Sequence, residues 1–208
     1  MRYFALLMLC WLAFACQPLK QSNEFTLADD TNTVEIGGAE LLPISFTDVT
    51  PAHVVIAANY VGITETAHNT GPEIDRFLAS VGLPAGNPWC AAFVSYTLEQ
   101  ADVESPSVRS GLASHFIKEN SIDARKFNRG VYKPEPGDLL VWRRGNTIFG
   151  HLGIVESHEG KTLFTIEGNT SPGATGANGS GVFRRDRSVQ PAAHFRITHF
   201  TNVRYATR

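Results

Sequence analysis

The chain has 208 residues with 18 basic and 20 acidic side chains, which give a formal net charge of −2. This length is sufficient to bury one hydrophobic core, so we expect a single domain behind a short leader. The charges are dispersed, and the pairs Arg143-Arg144 and Arg184-Arg185 are too short to form a basic stripe. The composition therefore argues against nucleic acid as a partner.

The amino-terminal segment has the pattern of a secretory leader. Arg2 precedes an apolar run from Tyr3 to Ala15, and a polar stretch begins after Cys16. The apolar run is shorter than the roughly 20 residues that span a bilayer. We therefore predict a signal peptide over residues 1–15 and no membrane-spanning helix.

The end of the leader, Ala13-Phe14-Ala15-Cys16, resembles the lipobox of bacterial lipoproteins, although Ala13 stands where that motif usually has leucine. The resemblance implies that Cys16 carries lipid and anchors the protein to a membrane. Gln17 after this cysteine resembles lipoproteins sent to an outer membrane. The alternative is a simple secretory peptide with an incidental Cys16. We therefore expect either a cell-envelope protein that is lipid-anchored at the outer membrane or periplasmic face, or a secreted one.

A polar spacer is predicted over residues 16–48 and a catalytic domain over residues 49–208. The first part of the domain has the patterns of helices. A Val-, Ile- and Ala-rich run predicts a helix from residue 50 to about 65, and apolar residues at helical spacing predict a second from Gly71-Pro72 to Gly82. A third is predicted from about residue 89 to 101, and a shorter fourth over residues 111–120.

The second part has the patterns of strands. The turn signal Pro134-Glu135-Pro136-Gly137-Asp138 precedes short apolar runs that predict strands over residues 139–142, 151–157, 162–167, 182–185 and 194–200. A hairpin turn is expected at residues 158–161 and a long loop at 169–181. Helices followed by antiparallel strands predict an α+β fold, with the helices packed on the sheet.

The main candidate for chemistry is Cys90, the only cysteine outside the leader. It lies in the first turn of the third predicted helix, where the helix dipole favours thiolate over thiol. A thiolate that attacks an acyl carbon needs a histidine to deliver a proton and a third polar group to orient that ring. An inert, buried cysteine is the alternative for this residue taken alone.

Among seven histidines, His151 is the preferred base, because Gly150 and Gly153 beside it leave space for a substrate. On the following strand Glu167 and Asn169 alternate onto one face, and either could accept a hydrogen bond from the imidazole. No histidine pair has zinc-ligand spacing with a cysteine. We therefore expect no metal site and no cofactor.

Four ordered blocks resemble the CHAP amidohydrolases and endopeptidases, relatives of the NlpC-like papain-fold enzymes that cut bacterial peptidoglycan. The resemblance covers about residues 51–187. The blocks are Pro88-Trp89-Cys90-Ala91-Ala92-Phe93-Val94, Pro136-Gly137-Asp138-Leu139-Leu140-Val141, Gly150-His151-Leu152-Gly153-Ile154-Val155 and Ile166-Glu167-Gly168-Asn169-Thr170.

The resemblance implies a papain-like α+β fold with Cys90 as nucleophile and His151 as general base and acid. It further implies that Glu167 orients the ring, with Asn169 as a supporting polar group. Some members of the family bind calcium in an acidic loop before the cysteine, but residues 82–87 contain no acidic side chain. We therefore predict no calcium there.

The same family holds an extended peptide stem in a cleft, for which Trp89 and Trp142 are candidate walls; ordinary core packing is the alternative for both. The prediction is thus a monomeric cysteine hydrolase that cuts an amide bond of peptidoglycan, with stem peptides as its partners. Two alternatives stay open. One is a catalytically silent wall-binding module, and the other is a cysteine amidase with a different substrate.

Overall fold

Helices pack on an antiparallel sheet in the computed structural model, which describes residues 50–172 and 179–205. The helices are α1 (Ala52–Ala58), α2 (Pro72–Ser80), α3 (Cys90–Gln100) and α4 (Arg125–Asn128), with a 3₁₀ turn at Ala113–Phe116. The strands are β1 (Val103–Ser105), β2 (Ile122–Asp123), β3 (Leu139–Arg144), β4 (Gly150–Glu159), β5 (Thr162–Thr170), β6 (Gly181–Arg187), β7 (Phe195–Thr201) and β8 (Arg204–Tyr205).

The main sheet has the strand order β2-β7-β3-β4-β5-β6, and every neighbouring pair is antiparallel. A separate two-stranded sheet joins β1 and β8. The hairpin of β4 and β5 occupies the half of the main sheet on which α1 and α3 pack. This architecture confirms the predicted α+β fold and its antiparallel sheet.

Two apolar clusters cover the opposite faces of the sheet. The larger cluster joins α1, α2 and α3 to one face, and α3 lies at its centre with nearly every residue from Cys90 to Leu98 buried. The smaller cluster covers the other face and includes Phe127 of α4 and Phe200 of β7. Since α3 is held on nearly all sides, the position of its first residue is fixed by packing.

The second and third helices match their predictions to within two residues, and the first and fourth do not. The first was predicted to reach residue 65, but α1 ends at Ala58. After it, Gly62 adopts a φ of 96° and its N–H donates to the carbonyl of Val182 at 2.9 Å. The chain from residue 62 to 65 pairs with the start of β6 instead of continuing the helix. The fourth predicted helix is reduced to the 3₁₀ turn.

All five predicted strands are present as β3 to β7, joined by the expected hairpin between β4 and β5. The sequence patterns did not predict β1, β2, β8 or α4, each four residues or fewer. Elements this short contain too few residues to show the helical or strand spacing of apolar side chains. The predicted signal peptide, Cys16 and the whole predicted spacer lie outside the described residues, as do residues 173–178 of the predicted long loop.

Candidate active site

Cys90 is the first residue of α3 and is only 6% exposed. The amino terminus of an 11-residue helix presents N–H groups without intrahelical partners and favours a negative charge on the sulfur. Cys90 is a free thiol. It lines a pocket of about 460 Å³ together with Gly150, the residue before the predicted base.

His151 is the second residue of β4, and its ring is almost fully buried. Its Nε2 lies 2.9 Å from Oε2 of Glu167 on β5. Its Nδ1 is buried as well and has no hydrogen bond of standard geometry to any described residue. With Nε2 engaged by the carboxylate, Nδ1 is the nitrogen left to exchange a proton with Cys90.

The charge of the imidazole is set by three influences. Burial disfavours the imidazolium, but the Cys90 thiolate and then the Glu167 carboxylate favour it, and together they raise the pKa of His151 to about 9. The ring therefore holds a proton at neutral pH while it interacts with the sulfur. A thiolate–imidazolium pair is the state from which acyl transfer starts.

Glu167 is fully buried, and hydrogen bonds reach both of its carboxylate oxygens. Oε1 accepts from Thr165 Oγ1 at 2.6 Å and from Arg187 Nε at 2.7 Å. Oε2 accepts from His151 and from Arg187 Nη2. Burial alone would raise the pKa of Glu167, but the bonds to Arg187 and His151 lower it to about 2. The carboxylate stays ionised and cannot turn away from the ring.

Two glycines allow the elements of the site to approach each other. A Cβ on Gly153 would lie 2.7 Å from Cγ of Glu167, so this glycine makes room for the carboxylate. A Cβ on Gly168 would lie 2.8 Å from both Trp89 and Phe93, so this glycine lets β5 pack closely on α3. The prediction that Gly153 leaves space for substrate is thus wrong, because Glu167 fills that space.

Trp142 packs against the site from the neighbouring strand. Its ring centroid lies 5.1 Å from that of His151, with the two planes at 63°. The guanidinium of Arg187 lies 5.5 Å from the same indole. Trp142 is 5% exposed and helps hold the imidazole and the arginine in place. Its contacts match the core-packing alternative better than the predicted cleft wall.

Trp89 is fully buried, so the prediction that it lines the cleft is wrong. Its indole packs against Phe77 and Phe93, and its Nε1 donates to Oε1 of Glu65 at 2.8 Å. The apolar environment and the half-buried carboxylate of Glu65 together account for this orientation. Because Trp89 immediately precedes Cys90, these contacts hold the chain in place where α3 begins.

Asn169 does not share the environment of Glu167, contrary to the predicted alternation. The backbone at Asn169 has a φ of 54°, and the pairing of β5 with β6 shifts register between Glu167 and Thr170. Its Nδ2 donates to Asn69 Oδ1 at 3.1 Å and to the carbonyl of Gly179 at 3.0 Å. Within the described chain Asn169 has no hydrogen bond to His151, and it links β5 to the Asn69 loop.

The site also contains residues that the sequence did not predict, one beside Glu167 and three on the rim of the Cys90 pocket. Arg187 follows a cluster of arginines on β6, and the sequence carries no signal that distinguishes it from them. Three apolar side chains on the rim of the Cys90 pocket were missed as well, because they lie in loops without periodicity. They are Leu112, Ile148 and Phe149, exposed to 37%, 59% and 62%.

Among the described residues, no group of three or more His, Cys, Asp or Glu side chains is placed to hold a metal ion. Within the same ranges, no helix combines the length and apolar character needed to cross a membrane.

Comparison with known proteins gives one finding. Residues 82–169 match the family model of the CHAP domain. The match includes Cys90, His151, Glu167 and Asn169. No curated protein and no solved structure gives a significant match. The α+β fold is consistent with this family match, and together they support a CHAP domain of the kind found in peptidoglycan hydrolases.

Proposed function

We propose that this protein is an extracytoplasmic cysteine hydrolase that cleaves an amide bond of peptidoglycan. The observation that carries the proposal is the buried chain of interactions from Cys90 through His151 to Glu167, which begins at a helix amino terminus and opens on a pocket. The candidate scissile bonds are the N-acetylmuramoyl-L-alanine amide and the amide bonds of the stem peptide and crossbridge.

In the first half-reaction the Cys90 thiolate attacks the carbonyl carbon of the scissile amide. The His151 imidazolium gives its proton to the leaving nitrogen as the carbon–nitrogen bond breaks, which leaves a thioester and a neutral imidazole. In the second half-reaction His151 takes a proton from water, and the resulting hydroxide displaces the thiolate. The acid product leaves, and the ion pair is restored.

The negative charge on the tetrahedral intermediate requires donors near the sulfur. The backbone N–H of Cys90 lies in the first turn of α3, whose amides have no intrahelical acceptor. Amides in this position stabilise an oxyanion without reorganisation during the reaction. Glu167 has a separate role, since it orients the ring of His151 and stabilises its charged form.

A catalytically silent wall-binding module is the main rival from another class. It has no need of a buried carboxylate bonded to two cationic partners, and the ordered set around Glu167 therefore favours the enzyme. A cysteine amidase with a different substrate would share the same three residues. Digestion of purified wall material distinguishes these proposals.

The location proposed for the hydrolase is the cell envelope, in agreement with the wall as its substrate. Anchoring through lipid on Cys16 and a monomeric state are further parts of the proposal. Cys16 lies outside the described residues, so the lipobox-like sequence alone supports the anchor.

The test is digestion of purified sacculi by the wild-type protein and by Cys90→Ala, with the released fragments identified by mass spectrometry. We expect the wild type to release fragments with one new amine and one new carboxyl group, and Cys90→Ala to release none. Fragment release by Cys90→Ala at the wild-type rate would disprove cysteine catalysis. Release of nothing by either protein would favour the silent module.

Two measurements make this test specific. The thermal unfolding of Cys90→Ala should stay close to that of the wild type, because the thiol is replaced by a smaller apolar group. His194→Ala is a matched control on an exposed histidine far along the chain, and it should retain activity. Alkylation of the thiol across a pH series separates a reactive ion pair from an inert buried cysteine.

A further inference from the structure

A second, polar pocket of about 340 Å³ lies where β2, β3 and β7 meet the turn that follows β3. The catalytic proposal does not use it. Its charged and titratable lining comprises three arginines, one aspartate and one histidine, which are Arg125, Arg143, Arg196, Asp123 and His199. The pocket therefore has an excess of positive charge.

The single acidic side chain of this lining is already neutralised. Nε of Arg125 lies 3.0 Å from each oxygen of Asp123, and the two groups form an ion pair. The pKa of Asp123 is lowered to about 2, first by this side-chain bond. The positive charge of Arg143 and Arg196 is thus left without an acidic partner in the pocket.

The hydrogen-bonding groups of the pocket are incompletely satisfied. Arg143 donates from Nη2 to the carbonyl of Thr147 at 3.1 Å, but its Nε is buried and has no acceptor among the described residues. Nδ1 of His199 is likewise buried and without a partner in that part of the chain. Arg196 uses Nη1 on the carbonyl of Ala193. A buried N–H without an acceptor is costly, and an anion would satisfy it.

We propose that this pocket binds a carboxylate of the substrate peptide and so acts as a subsite beside the cysteine. The inference rests on the proposed function for the identity of its ligand. The planar guanidinium of Arg143 presents adjacent N–H donors in the geometry that matches a carboxylate. Arg196, its cross-strand partner on β7, supplies the second positive charge.

The sheet register connects the two pockets. Arg143 on β3 is directly opposite Gly150 on β4, and Gly150 lines the pocket that contains Cys90. The turn between these strands is shared, since Gly145 and Asn146 line the polar pocket, whereas Ile148 and Phe149 line the other. An extended peptide that crosses this hairpin can reach both pockets.

The test measures binding to the full chain with Cys90→Ala, in which no turnover takes place. The probes are a muropeptide with free stem carboxylates and the same muropeptide with those carboxylates amidated, with affinities from calorimetry. We expect the amidated probe to bind about tenfold more weakly. Adding Arg143→Gln should weaken binding of the free acid about tenfold and leave the amidated probe unchanged.

Arg129→Gln removes one exposed arginine outside the pocket and is the matched control for net charge. Arg196→Gln should reproduce the effect of Arg143→Gln and keeps the test valid if the latter variant is unstable. Equal affinity for the two probes, or equal weakening of both by Arg143→Gln, would overturn the proposal. Arg143-dependent binding of inorganic phosphate without discrimination between the muropeptides would overturn it in favour of a phosphate site.

Because this assay needs no turnover, its result is independent of whether the wild type hydrolyses sacculi. Discrimination between the probes by a protein without hydrolase activity would support the subsite and reject the catalytic proposal. Hydrolysis of sacculi by a protein that does not discriminate between the probes would support the catalytic proposal and overturn the subsite.

Discussion

The imidazole of His151 separates two regions of opposite character. On one side Glu167 is buried and accepts hydrogen bonds from Thr165, His151 and Arg187. On the other side the pocket at Cys90 has the exposed rim residues Ile148 and Phe149. The closed side has its hydrogen bonds in place before any ligand arrives, whereas the open side presents apolar surface that is still in contact with water.

This contrast assigns different tasks to the two regions. A charge network fixed by folding orients a base without cost at the moment of reaction. Exposed apolar side chains gain free energy only when a ligand covers them. Substitutions on the closed side should therefore change both turnover and stability, and substitutions on the open side should change the affinity for substrate alone.

The largest expected effect comes from Glu167→Gln, which removes the charge from the closed side. The amide cannot stabilise the imidazolium, so turnover should fall about 10²- to 10⁴-fold. Arg187 and His151 lose their partner in a buried network, and we expect a loss of about 3 kcal/mol in the free energy of unfolding. Kinetics on sacculi and chemical denaturation measure the two effects.

The pH dependence of the same variant gives a sharper result. In the wild type the pKa of His151 is about 9, so activity should decline above that pH as the imidazolium is lost. Without the carboxylate, only Cys90 opposes the lowering of the pKa of His151 by burial, so the alkaline limb should move to lower pH. Glu156→Gln, on the exposed part of β4, is the control and should move neither the limb nor the stability by more than about 0.5 kcal/mol. An unchanged limb in Glu167→Gln would contradict the assigned role.

The stability difference between wild type and Glu167→Gln should also depend on pH. Since the pKa of Glu167 falls from 4.5 to about 2 on folding, its contribution is complete above pH 4.5 and is lost as the pH falls toward 2. Urea unfolding at several pH values in this window measures the decrease.

Arg187→Met should have a smaller effect of a different kind. Glu167 keeps its charge and its bond to His151 but loses the two bonds from the guanidinium. We expect about 2 kcal/mol lower stability, because a hydrogen bond to a charged group is removed from a largely buried site. Removing a positive charge near the ring favours the imidazolium, so the alkaline limb should move to higher pH, opposite to Glu167→Gln.

Arg184→Met is the matched control for this variant, because Arg184 lies on the same strand as Arg187 but forms an exposed ion pair with Glu156. It should cost no more than about 0.5 kcal/mol and leave the pH profile unchanged. If the alkaline limb of the activity profile does not move in Arg187→Met, Arg187 has a structural role only and does not influence the charge of His151.

The parts of this molecule that were predicted from sequence are those with a local pattern. The apolar spacing of α2 and the turn residues before β3 each specify an element within a short window, and both elements are present. Cys90, His151 and Glu167 were selected because their residue types suit one reaction and their blocks resemble one family. Their selection did not depend on a three-dimensional position.

The failures share a physical origin in tertiary packing. Trp89 is amphipathic, and it is buried because Phe77 and Phe93 pack on its ring while Glu65 accepts from its Nε1. Asn169 leaves the alternation of β5 because its backbone adopts a left-handed conformation at a register shift. Arg187 is one of several arginines on β6, and the contact that distinguishes it is with a residue 20 positions earlier in the chain. None of these contacts has a signature in a short window of sequence.

The smallest expected effect lies on the open side, at Phe149. Its side chain is 62% exposed on the rim of the Cys90 pocket, and it has no part in the charge network. If substrate covers it, Phe149→Ala should raise KM about fivefold, which corresponds to about 1 kcal/mol of apolar burial, and leave kcat unchanged. Val131→Ala is the control, because Val131 is an apolar residue 70% exposed outside that pocket. It should leave KM, kcat and the melting temperature as in the wild type. A fall in kcat for Phe149→Ala would show that the rim takes part in positioning the reacting bond, and the separation of the two regions would then fail.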